Sequence, residues 1–331
     1  MTLVEKIENN DIKNIVFIVE GGMGKVIAST AIARMLRRRF SDKKIVVVSG
    51  YEDIYMHNLN VNRIYNFNNP LYLYEDYANP DSCFVRVEPY MTHEYMFQGQ
   101  HLVKAWAHEI GFTDAEIEAD SGLPEIYFTK NEIDSAHEYI KECTGDGKKK
   151  FILIQWTGGV APQEKTMQAY YASQMHMHRR SLPTKVVQQI VNRFVSQNYV
   201  VGAVQHNNHP DIKGTENISF PARATIALLK FSDGFIGIDS FMQHACAALG
   251  VQGVICWGGT DPCRLGYDVN VNLTREVCST PFCHRPDSYL FDRGENNAVW
   301  NCPNDAACLE YSAKDILDKY SEVNGGKSKD A

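Results

Sequence analysis

Four stretches of this chain carry residue types at spacings that could do chemistry. The first is Glu20-Gly-Gly-Met-Gly-Lys25, set between the apolar run Ile15–Val19 and a helical pattern running from Val26 to Arg39. Glycines at such a turn, Gly22 and Gly24 among them, let the backbone approach a ligand, and a helix N-terminus favours negative charge. A P-loop would need GxxxxGK followed by Ser or Thr, but Val26 follows Lys25; the dinucleotide fingerprint G-x-G-x-x-G is also absent. A tight strand-to-helix turn with no ligand satisfies the same residues.

The second stretch runs from Phe235 to Gly250, where an apolar strand ends in Asp239-Ser240 and a helix begins at once. Ser240 can cap the helix, and the free helical N–H groups with His244 would face whatever sits at the strand end. That is a geometry for holding a diphosphate, with Asp239 free to accept sugar hydroxyls; capping alone explains the residues equally well. The third stretch, Gly258-Gly-Thr-Asp-Pro262, is again a polar loop after an apolar strand. The fourth is Cys278-Ser-Thr-Pro-Phe-Cys283 with Cys302-Pro-Asn-Asp-Ala-Ala-Cys308. Two close thiol pairs can form a closed four-thiolate zinc or iron site, structural because no position is left open. Free thiols and disulfides are the alternatives, and a chain of nine cysteines cannot pair them all.

The elements that must position these residues follow from hydrophobic pattern. Short fully apolar runs at 15–19, 45–48, 151–154, 199–204, 234–238 and 253–257 read as strands of parallel sheets covered on both faces. Helical spacing appears at 26–39, 103–110, 135–142, 185–195 and 243–249, giving strand-helix alternation in both halves. The stretch 51–124 is less regular. Thr144-Gly-Asp-Gly147 reads as the interdomain linker, so the expected domains are 1–147 and 148–323, followed by a tail, 324–331. Two doubly wound domains place ligands at the C-terminal ends of their strands, with a cleft between them.

Composition narrows the class. The chain has 331 residues, 44% apolar and 22% charged, with a net charge of −7. Such a length suits two domains of about 150 residues. The acidic balance argues against a large nucleic-acid footprint, without excluding a modified base as acceptor. Arg37, Arg38 and Arg39 read as solvated surface. No secretion signal and no apolar run near the roughly 18 residues of a membrane span is present, so the cytoplasm is the expected compartment.

The succession Asp239-Ser-x-x-x-His244-x-x-x-Ala-Leu-Gly250, then a strand, then Gly-x-Thr260-Asp261-Pro, resembles glycosyltransferase family 9, the ADP-heptose heptosyltransferases. The resemblance is tight over Ile238–Gly266 and looser over Ile18–Ala33, while Arg180-Ser-Leu-Pro183 resembles the family's Lys-x-Trp-Pro. It implies an α/β GT-B fold: two Rossmann-like doubly wound domains facing across a cleft. It also implies inverting sugar transfer from a nucleotide-diphosphate sugar, plausibly ADP-heptose, to a hydroxyl of a glycan, a lipopolysaccharide core or a protein, with no catalytic cofactor. By that match Asp239 binds the donor sugar. Ser240, His244, Arg180, Thr157 and Gly158 bind its phosphates, and Thr260 and Asp261 shape the donor loop. Some family members carry a similar C-terminal cysteine cluster.

Two departures stand out. Where the family has an aspartate as general base, this chain has Lys25, and an ammonium has no lone pair to take a proton. Glu20 is the expected replacement, with His93, Glu94 and His101 behind it, and Lys25 is expected to stabilise the leaving diphosphate. Phe241 stands where the family has glycine. Two other classes compete: a non-catalytic binder of sugar nucleotides or glycans, and a P-loop-like nucleotidase resting on Gly24-Lys25. His176, His178, His206 and His209 are weaker candidates for a donor loop.

Overall fold

The computed structural model describes residues 2–158, 180–205, 209–279, 281–283, 304 and 306–324. Among the described residues, ten parallel strands form two sheets. β1 (Asn14–Val19), β2 (Lys44–Ser49), β3 (Arg63–Asn66) and β4 (Ser82–Arg86) make the first, in the order β3-β2-β1-β4. The second contains β5 (Lys150–Ile154), β6 (Tyr199–Val204), β7 (Thr215–Ile218), β8 (Phe235–Ile238), β9 (Gly253–Cys256) and β10 (Val271–Leu273). Its order is β10-β9-β8-β5-β6-β7. Renumbered from its own first strand, the second sheet reads 3-2-1-4-5-6, the dinucleotide-binding arrangement, and the first sheet is its 3-2-1-4 part.

The expected apolar strands are where the pattern puts them, because a central parallel strand is buried on both faces. Ile15, Val16 and Phe17 of β1, and all four residues of β8 and of β9, are buried. The irregular stretch 51–124 nevertheless holds β3 and β4. Both are short and only half-buried, with at most three apolar residues in a row.

The helix after β1 spans Met23–Arg39 and is buried on almost every side from Lys25 to Leu36. Its hydroxyls are satisfied locally, Ser29 and Thr30 donating to the carbonyls of Val26 and Ile27. The arginine run at its end lies at the surface, with Arg38 and Arg39 exposed, and each also finds a protein partner. Arg37 donates to the Lys43 carbonyl (2.8 Å), Arg38 to the Ala119 carbonyl (3.1 Å), and Arg39 pairs with Glu116 (2.6 Å). Positive charge there also complements the helix dipole.

Clustering of contacts divides the chain at 1–129 and 130–331, before the helix Lys130–Thr144 rather than at the Thr144–Gly147 turn that follows it. That helix packs on β5, β6 and the helix Ala222–Ala227. Arg223 is buried there and holds Glu132 at 2.6 Å, while Phe220 meets Tyr139 edge-on. The second core joins Ile152, Ile154, Ile190, Phe194 and Ile236 to Ile316 and Tyr320 of the C-terminal helix Ala313–Asn324. Residues 325–331 of the expected tail lie outside the described residues.

Asp120 anchors the first unit. Its side chain is buried and takes Arg34 Nε at 3.1 Å and a contact from Arg38, while Arg34 also reaches Glu125 at 3.0 Å. Burial pushes its carboxyl up. Hydrogen bonds from Arg34 and the Gly122 amide, with the charges of Arg34 and Arg38, outweigh that and hold it below the ordinary 3.8. Its stabilisation is therefore complete above pH 3.8 and is lost as pH falls through the depressed folded value. Asp120→Asn should cost about 2 kcal/mol in urea unfolding at neutral pH. The gap between variant and wild type should narrow in acid, and a gap independent of pH would refute the assignment.

Candidate functional site

Ligand-binding residues of open parallel sheets cluster where the strand order reverses, because the crossovers on either side leave in opposite directions. In the second sheet that point lies between β5 and β8. The segment Gln155–Gly158 leaves β5, and Asp239-Ser240 leaves β8 beside it. Asp239 is buried, 6% exposed, and Arg180 faces it with Nη1 3.8 Å from Oδ2 and 3.4 Å from its carbonyl oxygen. The Thr260 hydroxyl points at the same carboxylate, short of full hydrogen-bond geometry. Burial pushes the Asp239 carboxyl above its ordinary range, and Arg180 and Thr260 only partly offset this. Arg180 Nε is buried and has no hydrogen-bond partner among the described residues.

Gly158 lies close against the site: a Cβ there would stand 3.2 Å from Ile238 and 3.4 Å from Arg180 Nε. Thr157 is buried with its hydroxyl 3.0 Å from that of Ser181, which also accepts from the Gly158 amide at 3.4 Å. Ser240 occupies the N-cap of the helix Phe241–Leu249 but does not cap it. Its hydroxyl turns to Gln155 instead, so the first-turn amides lack a side-chain cap. Arg180, Asp239, Ser240, Thr157, Gly158 and Thr260 therefore meet at one strand-end corner.

Two further expected members have protein partners of their own. His244 is buried, with Nδ1 2.9 Å from the Tyr267 hydroxyl and the two rings edge to face. Asp261 caps the short helix Pro262–Leu265 through the Cys263 amide at 2.8 Å and pairs with Arg264 at 3.2 Å.

The first sheet reverses between β1 and β4. Gly21 takes φ +105°, which a side chain rarely adopts, and Gly22 is the N-cap of the helix whose second residue is Gly24. Glu20 pairs with Arg86, the last residue of β4, at 2.7 Å. Lys25 is buried under this turn. Its Nζ lies 2.7 Å from Glu88 and 5.5 Å from the ring centroids of both Tyr90 and Trp106. A lysine expected to meet a leaving diphosphate is thus already neutralised by Glu88. His101 caps the helix Leu102–Ile110, and His93 lies against Phe97.

Sequence reasoning passed over Glu88, Arg86, Tyr90 and Trp106. The available signal was positional: Glu88 follows the short apolar run Cys83–Val85, and a carboxylate just past a strand end deserves the same reading as Asp239.

Of the cysteines, Cys278, Cys283 and Cys308 are half-buried, with Asn304 Nδ2 2.9 Å from Cys278 Sγ, and Cys302 lies outside the described residues. Among the described residues no three His, Cys, Asp or Glu side chains are grouped to hold a metal ion. Cys246 and Cys256 are core residues, as expected. His176, His178 and His206 also lie outside the described residues, whereas His209 is buried against Trp156. No helix of the described residues is long and apolar enough to cross a membrane.

Two parallel α/β units of this strand order define the fold of the GT-B glycosyltransferases. The solved structures it resembles include a glycosyl transferase family 9 protein from Veillonella parvula, at 13% identity and TM-score 0.64, covering 95% of this chain and 97% of that one. The E. coli ADP-heptose LPS heptosyltransferase II matches at 11% identity and TM-score 0.63, over 95% and 100% of the two chains. The iron-containing dodecameric glycosyltransferase TibC of enterotoxigenic E. coli matches at 12% identity and TM-score 0.59, over 95% and 77%. No protein-family model and no curated protein matches the sequence.

The buried carboxylate at the second switch point costs the fold stability. A folded carboxyl raised above its unfolded value is protonated in both states at low pH, and its penalty grows as pH rises toward the folded value. Asp239→Asn should therefore melt a few degrees higher at neutral pH, the shift that about 1 kcal/mol produces in a domain of this size. The advantage should vanish as pH falls toward 3.8. A lower melting temperature at neutral pH would show that Arg180 depends on that charge.

Proposed function

We propose that this chain is an inverting glycosyltransferase acting in the cytoplasm, which moves a sugar from a nucleotide-diphosphate donor, plausibly ADP-heptose, to a hydroxyl acceptor. The observation that carries this reading is the β5/β8 corner. There Arg180 offers a buried N–H without a partner among the described residues, beside a helix N-terminus without a side-chain cap, and Asp239 stands ready for sugar hydroxyls. Guanidinium and helix amides are the donors that diphosphates take, and neither requires a metal. The donor diphosphate lies on Arg180, the Thr157-Gly158 backbone and the Phe241–Leu249 helix end, with Thr260 closing the sugar side beside Asp239. As the bond from the sugar to the diphosphate breaks, these fixed dipoles receive the charge that develops on the leaving oxygen. Solved neighbours hold ADP and an ADP-heptose analogue, which supports an adenine donor.

The acceptor hydroxyl belongs to a glycan, a lipopolysaccharide core or a protein. The Lys25 substitution favours a second reading, a sugar-nucleotide binder without turnover. The first experiment separates the two. ADP-heptose at 100 times its dissociation constant should stabilise the protein by about 2.7 kcal/mol with or without EDTA. Arg180→Ala should abolish the shift. Stabilisation without ADP release for any acceptor would establish the binder, and no response to any sugar nucleotide would remove both readings.

The cysteine group Cys278, Cys283, Cys302 and Cys308 is read as a structural zinc or iron site. The pairing of close thiols supports this, as does the iron-containing description of one solved neighbour. Anaerobically purified protein should hold stoichiometric zinc or iron, lost in Cys302→Ser together with melting temperature. Metal-free wild-type protein of full stability would overturn the site.

A further inference from the structure

We infer that Gln155 is a positioning residue: it holds the Ser240 hydroxyl off the N-terminus of the helix Phe241–Leu249 and so keeps that end open for donor phosphate. The assignment rests on the donor site proposed above and lies within the second unit. Ser240-Phe-Met-Gln243 has the residue pattern of a capping box. In such a box the first hydroxyl takes the amide of the fourth residue, and the fourth side chain takes the amide of the first. The chain forms boxes elsewhere. Thr2 with Glu5 and Thr113 with Glu116 make both bonds, and Asp261 caps the next helix of the second unit. At Ser240 the box stands open.

Both of its halves are engaged by other groups. Ser240 has the extended backbone of a capping residue, φ −159° and ψ 178°, yet its hydroxyl donates to Gln155 Oε1. Gln243 donates through Nε2 to the Leu265 carbonyl at 2.9 Å, and its Oε1 is buried with no partner among the described residues. A closed box would give that oxygen an amide, so leaving it open costs the fold a hydrogen bond.

Gln155 can hold the hydroxyl because it is itself fixed. It sits just past β5, is buried, and its backbone amide donates to the Ile236 carbonyl of β8 at 3.0 Å. A buried side-chain amide must be hydrogen-bonded, and Ser240 is its partner. What remains at the helix end is a set of N–H groups with positive potential and no side-chain oxygen in front of them. A diphosphate oxygen and the Ser240 hydroxyl would compete for the same amides. Gln155 removes that competitor before the donor arrives.

The test measures ADP binding to the full chain by titration calorimetry. Gln155→Met keeps the length of the side chain but removes the amide oxygen that Ser240 uses. The hydroxyl should then turn to the helix amides, and the Kd for ADP should rise roughly fivefold, as when a typical N-cap has to be displaced. With Ser240→Ala there is no hydroxyl to turn. In that background Gln155→Met should leave the Kd within about twofold, a dependence that a merely structural defect at Gln155 would not show. Should Gln155→Met not fold, Gln155→Asn, one methylene shorter, carries the same comparison. An equal rise in both backgrounds, or none in either, would overturn the positioning role and leave the donor site standing. Wild-type protein that does not bind ADP would overturn the donor site and the role with it.

Discussion

The reversal of strand order is the constraint on which the rest depends. From β5 the chain moves to β6 on one side, and from β8 it moves to β9 on the other. Because parallel crossovers are right-handed, the two connecting helices must leave on opposite faces, and the strand ends between them stay uncovered. In the first unit β1 leads to β2 on one side, and β4 lies on its other side as an edge strand. Backbone N–H groups, a helix terminus and side chains just past the strand ends collect in those gaps because nothing else can fill them. The site residues are there for topological reasons before any chemical ones.

Each gap also holds one buried charge, Lys25 in the first sheet and Asp239 in the second. Burying an ion is costly unless it is paired, and the two are paired differently. Lys25 touches its carboxylate at 2.7 Å and has aromatic rings nearby, which makes a closed arrangement on the inner side with an open carboxylate outside. The Asp239 carboxylate has Arg180 no nearer than 3.8 Å, and Arg180 Nε has no partner among the described residues. The loose pair has capacity left for a ligand of its own chemistry; the tight pair holds one group still.

The arginines at the end of the helix Met23–Arg39 carry a related lesson. Three consecutive cations look like solvated surface, yet each finds a carbonyl or carboxylate on a neighbouring segment. Arg34 with Asp120 and Glu125 extends the same network toward the end of the first unit. Charge runs at helix ends fasten loops when the chain brings acceptors back past them.

The apolar runs of β1, β2, β5, β6, β8 and β9 were legible in the sequence, because a strand buried on both faces must be apolar throughout. So were the glycine turn and the Asp239-Ser240 strand end, which are local features. β3 and β4 were hidden, since half-buried edge strands lack that signature. The contact boundary falls one helix before the expected linker: Lys130–Thr144 is amphipathic in sequence whichever unit it packs on, and Arg223 and Phe220 hold it to the second. Whether Ser240 would cap its helix or turn to Gln155, and whether His244 would face outward or meet Tyr267, depended on neighbours 85 and 23 residues away. Lys25 and Glu88 are 63 residues apart, with no spacing rule to connect them. Sequence determined the strands and turns because burial and backbone freedom act locally. Only tertiary structure could choose partners for the charged side chains, because that choice depends on which strand ends the topology places side by side.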